Sequence, residues 1–194
     1  MAIDSYMFFI PYNQAILTAE SQVDFSQNNE PLASDLKGYA SSHNLFEVED
    51  WNFDVEQTLN IGSQSSGAGA GKITFNAFSI TRKIDLASPT FFQMACSGQA
   101  FQQVGLAFRK SAGGSATSGQ VYLRFDFKLV AVKTIGWSHD DESPKETVTF
   151  EYGGLQVRYA QQAASGQLNA AIIGGWNRVK NISDQANIGA SLIT

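Results

Sequence analysis

The chain has 194 residues, with 18 carboxylates against 13 Lys and Arg and a net charge of −5, which excludes a dedicated nucleic-acid binder, since neutralising phosphates takes a basic excess or stripe. Cys96 is the single cysteine, so neither an intramolecular disulfide nor a Cys-based metal cluster can form. Hydrophobic residues at 43% suffice for one core, and the abundance of Phe, Tyr and β-branched runs favours sheet over helix.

The N-terminus, MAIDSYMFFIPY, has an apolar run but no basic n-region, an early Asp4 and no small-residue cleavage site, so it does not read as a secretory signal. No apolar stretch reaches the length that spans a bilayer, and the chain is expected to begin in the cytosol without a membrane anchor. Residues 4–10 predict a first strand ended by Pro11. Residues 11–45 are polar and irregular, too long for a plain connection, and predict an insertion with its own local structure or a flexible loop. Within 45–59 the pattern alternates: Trp51, Phe53 and Val55 on one face, Asn52, Asp54 and Glu56 on the other, a half-buried strand with a wet side. Residues 60–71, NIGSQSSGAGAG, form a low-complexity loop. A strand resumes over 72–84, with a phase slip near Ala77 that a bulge or a two-sided environment would explain.

A short helix follows: Ser88 suits an N-cap, Pro89 the first helical position and Gly98 the position after the last turn. Phe91, Met94 and Ala95 share its apolar face. Residues 102–110 predict a strand burying Val104, Leu106 and Phe108. In the strand 120–133, alternation places Val121, Leu123, Phe125, Phe127, Leu129 and Ala131 inward and Arg124, Asp126 and Lys128 outward. An acidic loop at 138–146 leads to a strand at 147–159 whose phase slips at Gly153-Gly154. A last apolar segment spans 170–179, and 181–194 reads as a weakly patterned tail. The fold class is mainly β: an antiparallel β-barrel with one short flanking α-helix, built as a single domain over 1–180.

No local pattern supports chemistry. GAGAGK at 67–72 has Ser66 where a phosphate loop needs Gly, Ile73 where it needs Ser or Thr, and a strand where it needs a helix. Cys96 ends an apolar helix, where a buried thiol acts as a small hydrophobe, and His43 and His139 lie in polar loops without a signature. Asp140, Asp141 and Glu142 lack calcium-loop spacing and read as a solvated loop. No catalytic, cofactor-binding or metal-binding residues are assigned, and the chain is not expected to be an enzyme. Periodicity alone makes Asn52, Asp54 and Glu56 a plain solvent face.

Four blocks carry a resemblance. SITRKIDLASPTFFQMACSG at 79–98 joins a strand to a capped apolar helix; MAID opens the chain; VEDWNFDVEQ at 48–57 precedes the Gly-rich loop; and ESPKETVTFEYGGLQVRYAQQ at 142–162 precedes GGWN at 174–177. In this order they resemble the haemolysin-coregulated protein (Hcp) family, the tube subunit of the bacterial type VI secretion system. The segment before Trp51 and the tail after Asn177 are longer than that pattern. The resemblance implies a homo-hexameric ring, rings stacking into a tube within a sheath behind a spike, export without a signal peptide, and effector proteins carried in the lumen. It makes Asn52, Asp54 and Glu56 candidate lumen residues. It makes the loop Asn60, Ile61, Gly62, Ser63, Gln64, Ser65, Ser66, Gly67, Ala68, Gly69, Ala70 and Gly71 the candidate ring-stacking element. Two other readings stay open at this level: a tail-tube-like subunit of another contractile injection system, and a monomeric β-barrel binding module using 11–45.

Overall fold

A computed structural model describes residues 3–58, 73–110, 119–139 and 143–184. Its scaffold begins with β1 (Ile3–Pro11), in which Tyr6 to Ile10 are all buried. A strand buried on both faces must have cover on both. On one face Phe9 packs with Phe46, Phe91, Phe101 and Phe150, at ring-centroid distances of 4.9 to 5.8 Å. On the other, Tyr6 meets Phe25 and Phe8 meets Tyr39. The cover on this second face is the predicted insertion. It contains a 3-10 turn (Pro31–Ala33) and a helix, α1 (Ser34–His43), so the fold has a second helix beyond the one read from sequence. The Tyr39 hydroxyl donates to the carbonyls of Leu17 and Phe9 and pins the insertion to β1.

The chain continues through β2 (Phe46–Glu47), β3 (Asp50–Asn52), β4 (Val55–Gln57), β5 (Ile73–Phe75), β6 (Phe78–Lys83), α2 (Ser88–Ser97), β7 (Ala100–Lys110), β8 (Gln120–His139), β9 (Pro144–Tyr159), β10 (Ile172–Asn177) and β11 (Ile182–Ser183). All pairings are antiparallel, in the order β11-β10-β9-β8-β7-β1-β2, with β6 also on β9 and β3 on β6. The mainly-β reading holds. The barrel ladder is not continuously closed: residues 46–52 cross the remaining gap, pairing with β1 at 46–47 and with β6 at 50–52. Between these, the Val48 amide donates to Ser5 and the Glu49 amide to Thr81.

Both predicted phase slips are present, the one near Ala77 as a break between two strands in different sheets. β5 and β6 separate at Asn76-Ala77. On β8 and β9 the inward face changes from Phe127 and Leu155 to Val130 and Tyr152, across Leu129 and Gly153. Leu129 has φ +51° and its side chain is exposed, contrary to the uninterrupted alternation expected over 120–133. Arg124 and Asp126, expected in solvent, have no exposed surface, because the insertion lies over them. Arg124 donates to the Leu32 carbonyl, to Asp35 at 2.8 Å and to Asp126 at 2.7 Å, and Arg158 donates to the other Asp126 oxygen at 2.6 Å. Gly105 on β7 belongs to the same layer: a Cβ there would stand 2.2 Å from the Phe8 ring.

Helix α2 closes one end of the sheet circuit. Its C-terminal end is as predicted, with Gly98 in the left-handed conformation and its amide on Met94, whereas the helix starts at Ser88 with Ala87, not Ser88, at the N-cap. Capping differs from expectation. Asp85 accepts from the Ala87 amide, and Ser88 accepts from the Asp85 amide while holding Arg82. Cys96 is exposed rather than buried. The loop expected at 138–146 is mostly strand, since β8 runs to His139 and β9 starts at Pro144; residues 140–142 lie outside the described residues. Ile182 and Ser183, within the expected tail, pair with Asn177 and Trp176.

Removing the Asp126 carboxylate takes the shared anion away from two buried guanidiniums. Asp126→Ala is expected to lower unfolding free energy by about 3–5 kcal/mol, read from the denaturant midpoint at neutral pH.

Candidate functional site

The wet face predicted for 51–57 is divided between the main sheet and a small two-stranded one. β3 pairs with β6, whereas β4 pairs with β5 in a separate two-stranded sheet. The break falls at Phe53-Asp54. Trp51 and Phe53 turn inward against Phe108, Phe125 and Phe127. Val55, expected on that inward face, is exposed, because β4 has left the main sheet. Asn52, Asp54 and Glu56 are all exposed. Asn52 stays on the main sheet, and Asp54 sits at the junction, accepting 2.9 Å from the Asn76 side chain. Glu56 lies on the small sheet opposite Thr74. The candidate stacking loop, 60–71, lies outside the described residues.

Around Asn52 the sheet register assembles a surface that was not recognised from sequence. Asn52 stands opposite Ser79, Ser79 opposite Thr149, and Thr149 opposite Thr134. The next row runs Asp50, Thr81, Thr147 and Gly136, with the Thr81 and Thr147 hydroxyl oxygens 3.1 Å apart. Two polar rows thus cross β3, β6, β9 and β8. The outward positions are small, hydroxylated and largely uncharged, while the alternate positions Ile80, Val148 and Phe150 fill the interior. The signal was present as polar alternation in SITRK and TVTF, but only pairing aligns the two stretches.

Charge is concentrated at the margins of these rows. Lys145 bridges Glu49 at 2.9 Å. Glu151 accepts from Lys133 and Arg178, each at 2.9 Å, and these hydrogen bonds hold its carboxyl below the ordinary glutamate range. Inside, Arg82 clamps the end of β6 to α2. It donates to both Asp85 oxygens at 2.8 Å and to Glu146 at 2.8 Å, and stacks over Phe46 and Phe91. Tyr152 is buried beneath Arg178, and burial pushes its hydroxyl up to about 12. No group of His, Cys, Asp and Glu among the described residues has the arrangement of a metal site. The face is polar, with small hydroxyl side chains at most of its outward positions.

An antiparallel sheet circuit with a short helix packed against it defines a mainly-β protein. The family model described as "Type VI secretion system effector, Hcp" matches residues 37–159, more than half of the chain. The Hcp1 protein of Pseudomonas aeruginosa is 29% identical over 114 residues, covering 57% of this chain and 68% of that protein. Among solved structures, a type six secretion system protein superposes with TM-score 0.74 at 21% identity, covering 94% of this chain and all of that one. Hcp1 from Salmonella typhimurium gives TM-score 0.62 at 20% identity, covering 95% and all, respectively. The chain belongs to the Hcp family of the type VI secretion system. β1, most of the insertion, and β10 and β11 lie outside the matched span, although the fold comparison extends over nearly the whole chain.

Because Tyr152 ionises at higher pH when folded, the native state binds more protons than the unfolded chain once unfolded tyrosines begin to ionise. Stability is therefore full below the ordinary tyrosine range and falls as pH rises through it toward about 12. Its hydroxyl has no hydrogen-bond partner among the described residues, so Tyr152→Phe is expected to cost little at neutral pH and to flatten this alkaline loss. Denaturant midpoints measured from neutral to alkaline pH check both.

Proposed function

We propose that the chain is a non-catalytic structural subunit of the type VI secretion inner tube. In this reading it assembles as hexameric rings that stack within the sheath behind the spike. It leaves the bacterial cytoplasm through the secretion machine and carries effector proteins in the lumen. The observation that carries the reading is the pair of polar rows across four strands in a member of the Hcp family. A conduit wall has to stay hydrated and must not grip what passes, and small hydroxyl side chains meet both needs. Asn52, with Asp54 and Glu56 beside it, is assigned to the lumen. Residues 60–71 are assigned to contacts between rings, where a Gly- and Ser-rich segment adapts to its neighbour at an entropic cost.

The test is native mass spectrometry of the purified chain with negative-stain imaging. A dominant six-subunit species and annular particles are expected; a monomer at every accessible concentration would sink the reading and favour a binding module. Combined Asn52→Ala, Asp54→Ala and Glu56→Ala replacement is expected to leave ring assembly intact and each site within about 0.5 kcal/mol in stability. Co-purification of cargo with the ring is the quantity expected to change.

A further inference from the structure

A second surface lies where the β8–β9 ladder changes phase. Leu129 is held at φ +51° with 48% of its surface exposed, and Val179 is 71% exposed. The two side chains close over Gly153, where an added Cβ would stand 3.0 Å from Leu129 Cδ2 and 3.2 Å from Val179 Cγ2. A bulky residue at positive φ with its side chain in solvent is a costly arrangement in an isolated chain, and glycine would avoid it. Arg178 and Lys180 flank Val179 in the chain, and Glu151 bridges Arg178 to Lys133 on β8. An apolar centre within a charged rim has the anatomy of a contact surface.

The sheet circuit runs β1, β7, β8, β9, β6 and residues 46–52. The β8–β9 seam is therefore opposite the seam between β1 and residues 46–52. That opposite side is acidic. Asp4, Glu20 and Glu47 are exposed; Glu47 accepts from Ser21 and Glu20 from the Leu86 amide. The guanidinium nearest Asp4 belongs to Arg109, which is largely covered by packing on Tyr6 and Phe25.

We propose that the Leu129–Val179 surface of one copy docks on the Asp4–Glu20–Glu47 side of a second copy. The inference deepens the ring reading and rests on it. Two-fold pairing would set the cations against their own copies, whereas head-to-tail pairing sets them against carboxylates. Ring closure requires this second kind of contact, made by two different surfaces. The charges steer the encounter and fix its direction; Leu129 and Val179 provide the desolvated centre.

Two double variants test it in the full chain. Lys133→Glu with Lys180→Glu makes both sides acidic; Asp4→Lys with Glu47→Lys makes both sides basic. Each alone is expected to weaken assembly at least about tenfold by sedimentation, through like-charge opposition across the contact. Mixed in equal amounts, they are expected to reassemble into particles alternating the two chains, resolved by native mass spectrometry. Leu129→Gly relieves the backbone and keeps the fold, with a thermal transition at or above that of the parent, and is expected to weaken assembly as well. Parent rings whose dissociation is unchanged in all three variants, or a mixture that stays dissociated, would overturn this interface while leaving the ring reading in place. A parent chain that never assembles would overturn both.

Discussion

The Asp126 carboxylate has no access to solvent and lies between the guanidiniums of Arg124 and Arg158. Most of the outer layer follows from that placement. A buried charge is tolerated only when paired and fully hydrogen-bonded. Two cations around one anion need a further acceptor, which α1 supplies through Asp35 and the preceding turn through the Leu32 carbonyl. The insertion is thus part of the electrostatic closure of the sheet, and Tyr39 and Phe25 supply the apolar share of the same contact. Its polar composition reflects this work at the boundary with charged groups.

A third buried guanidinium organises the other end. Arg82 joins β6, β9 and the first turn of α2, and its π contacts with Phe46 and Phe91 place it over the aromatic cluster around Phe9. The helix crosses the end of the circuit because Phe91 and Met94 fill the interior while Asp85 and Ser88 hold Arg82. Between these two clusters the sheet reverses its inward face at Leu129 and Gly153. That reversal lets β9 pair with β6 along one part of its length and with β10 along another.

The division of surfaces follows from this architecture. Positions alternate with the interior on β3, β6 and β9, so the outward residues are free to be small and hydroxylated, which suits a wall. The phase change instead places an apolar pair among cations, on the side opposite exposed carboxylates. One face suits passage and the others suit contact between copies.

Much of the fold was legible because its signals were local. The α2 C-terminus, the slips near Ala77 and at Gly153-Gly154, and the strand carrying Val104, Leu106 and Phe108 all follow from periodicity and from Pro and Gly chemistry within a few residues. The block 79–98 and its companions likewise pointed to the family. The candidate wall was only half legible: Asn52 was found by alternation, whereas Ser79, Thr81, Thr147 and Thr149 join it only through strand pairing. Arg124 and Asp126 alternate as exposed residues do, and nothing near them in the chain announces that residues 30–39 will cover them. By itself the sequence determined the presence and order of most long strands and of the apolar helix, since dihedral preference and side-chain period act over short range. Only the tertiary structure decided which polar residues are buried, which become a wall and where the inward face reverses, because those outcomes depend on segments brought together from distant parts of the chain.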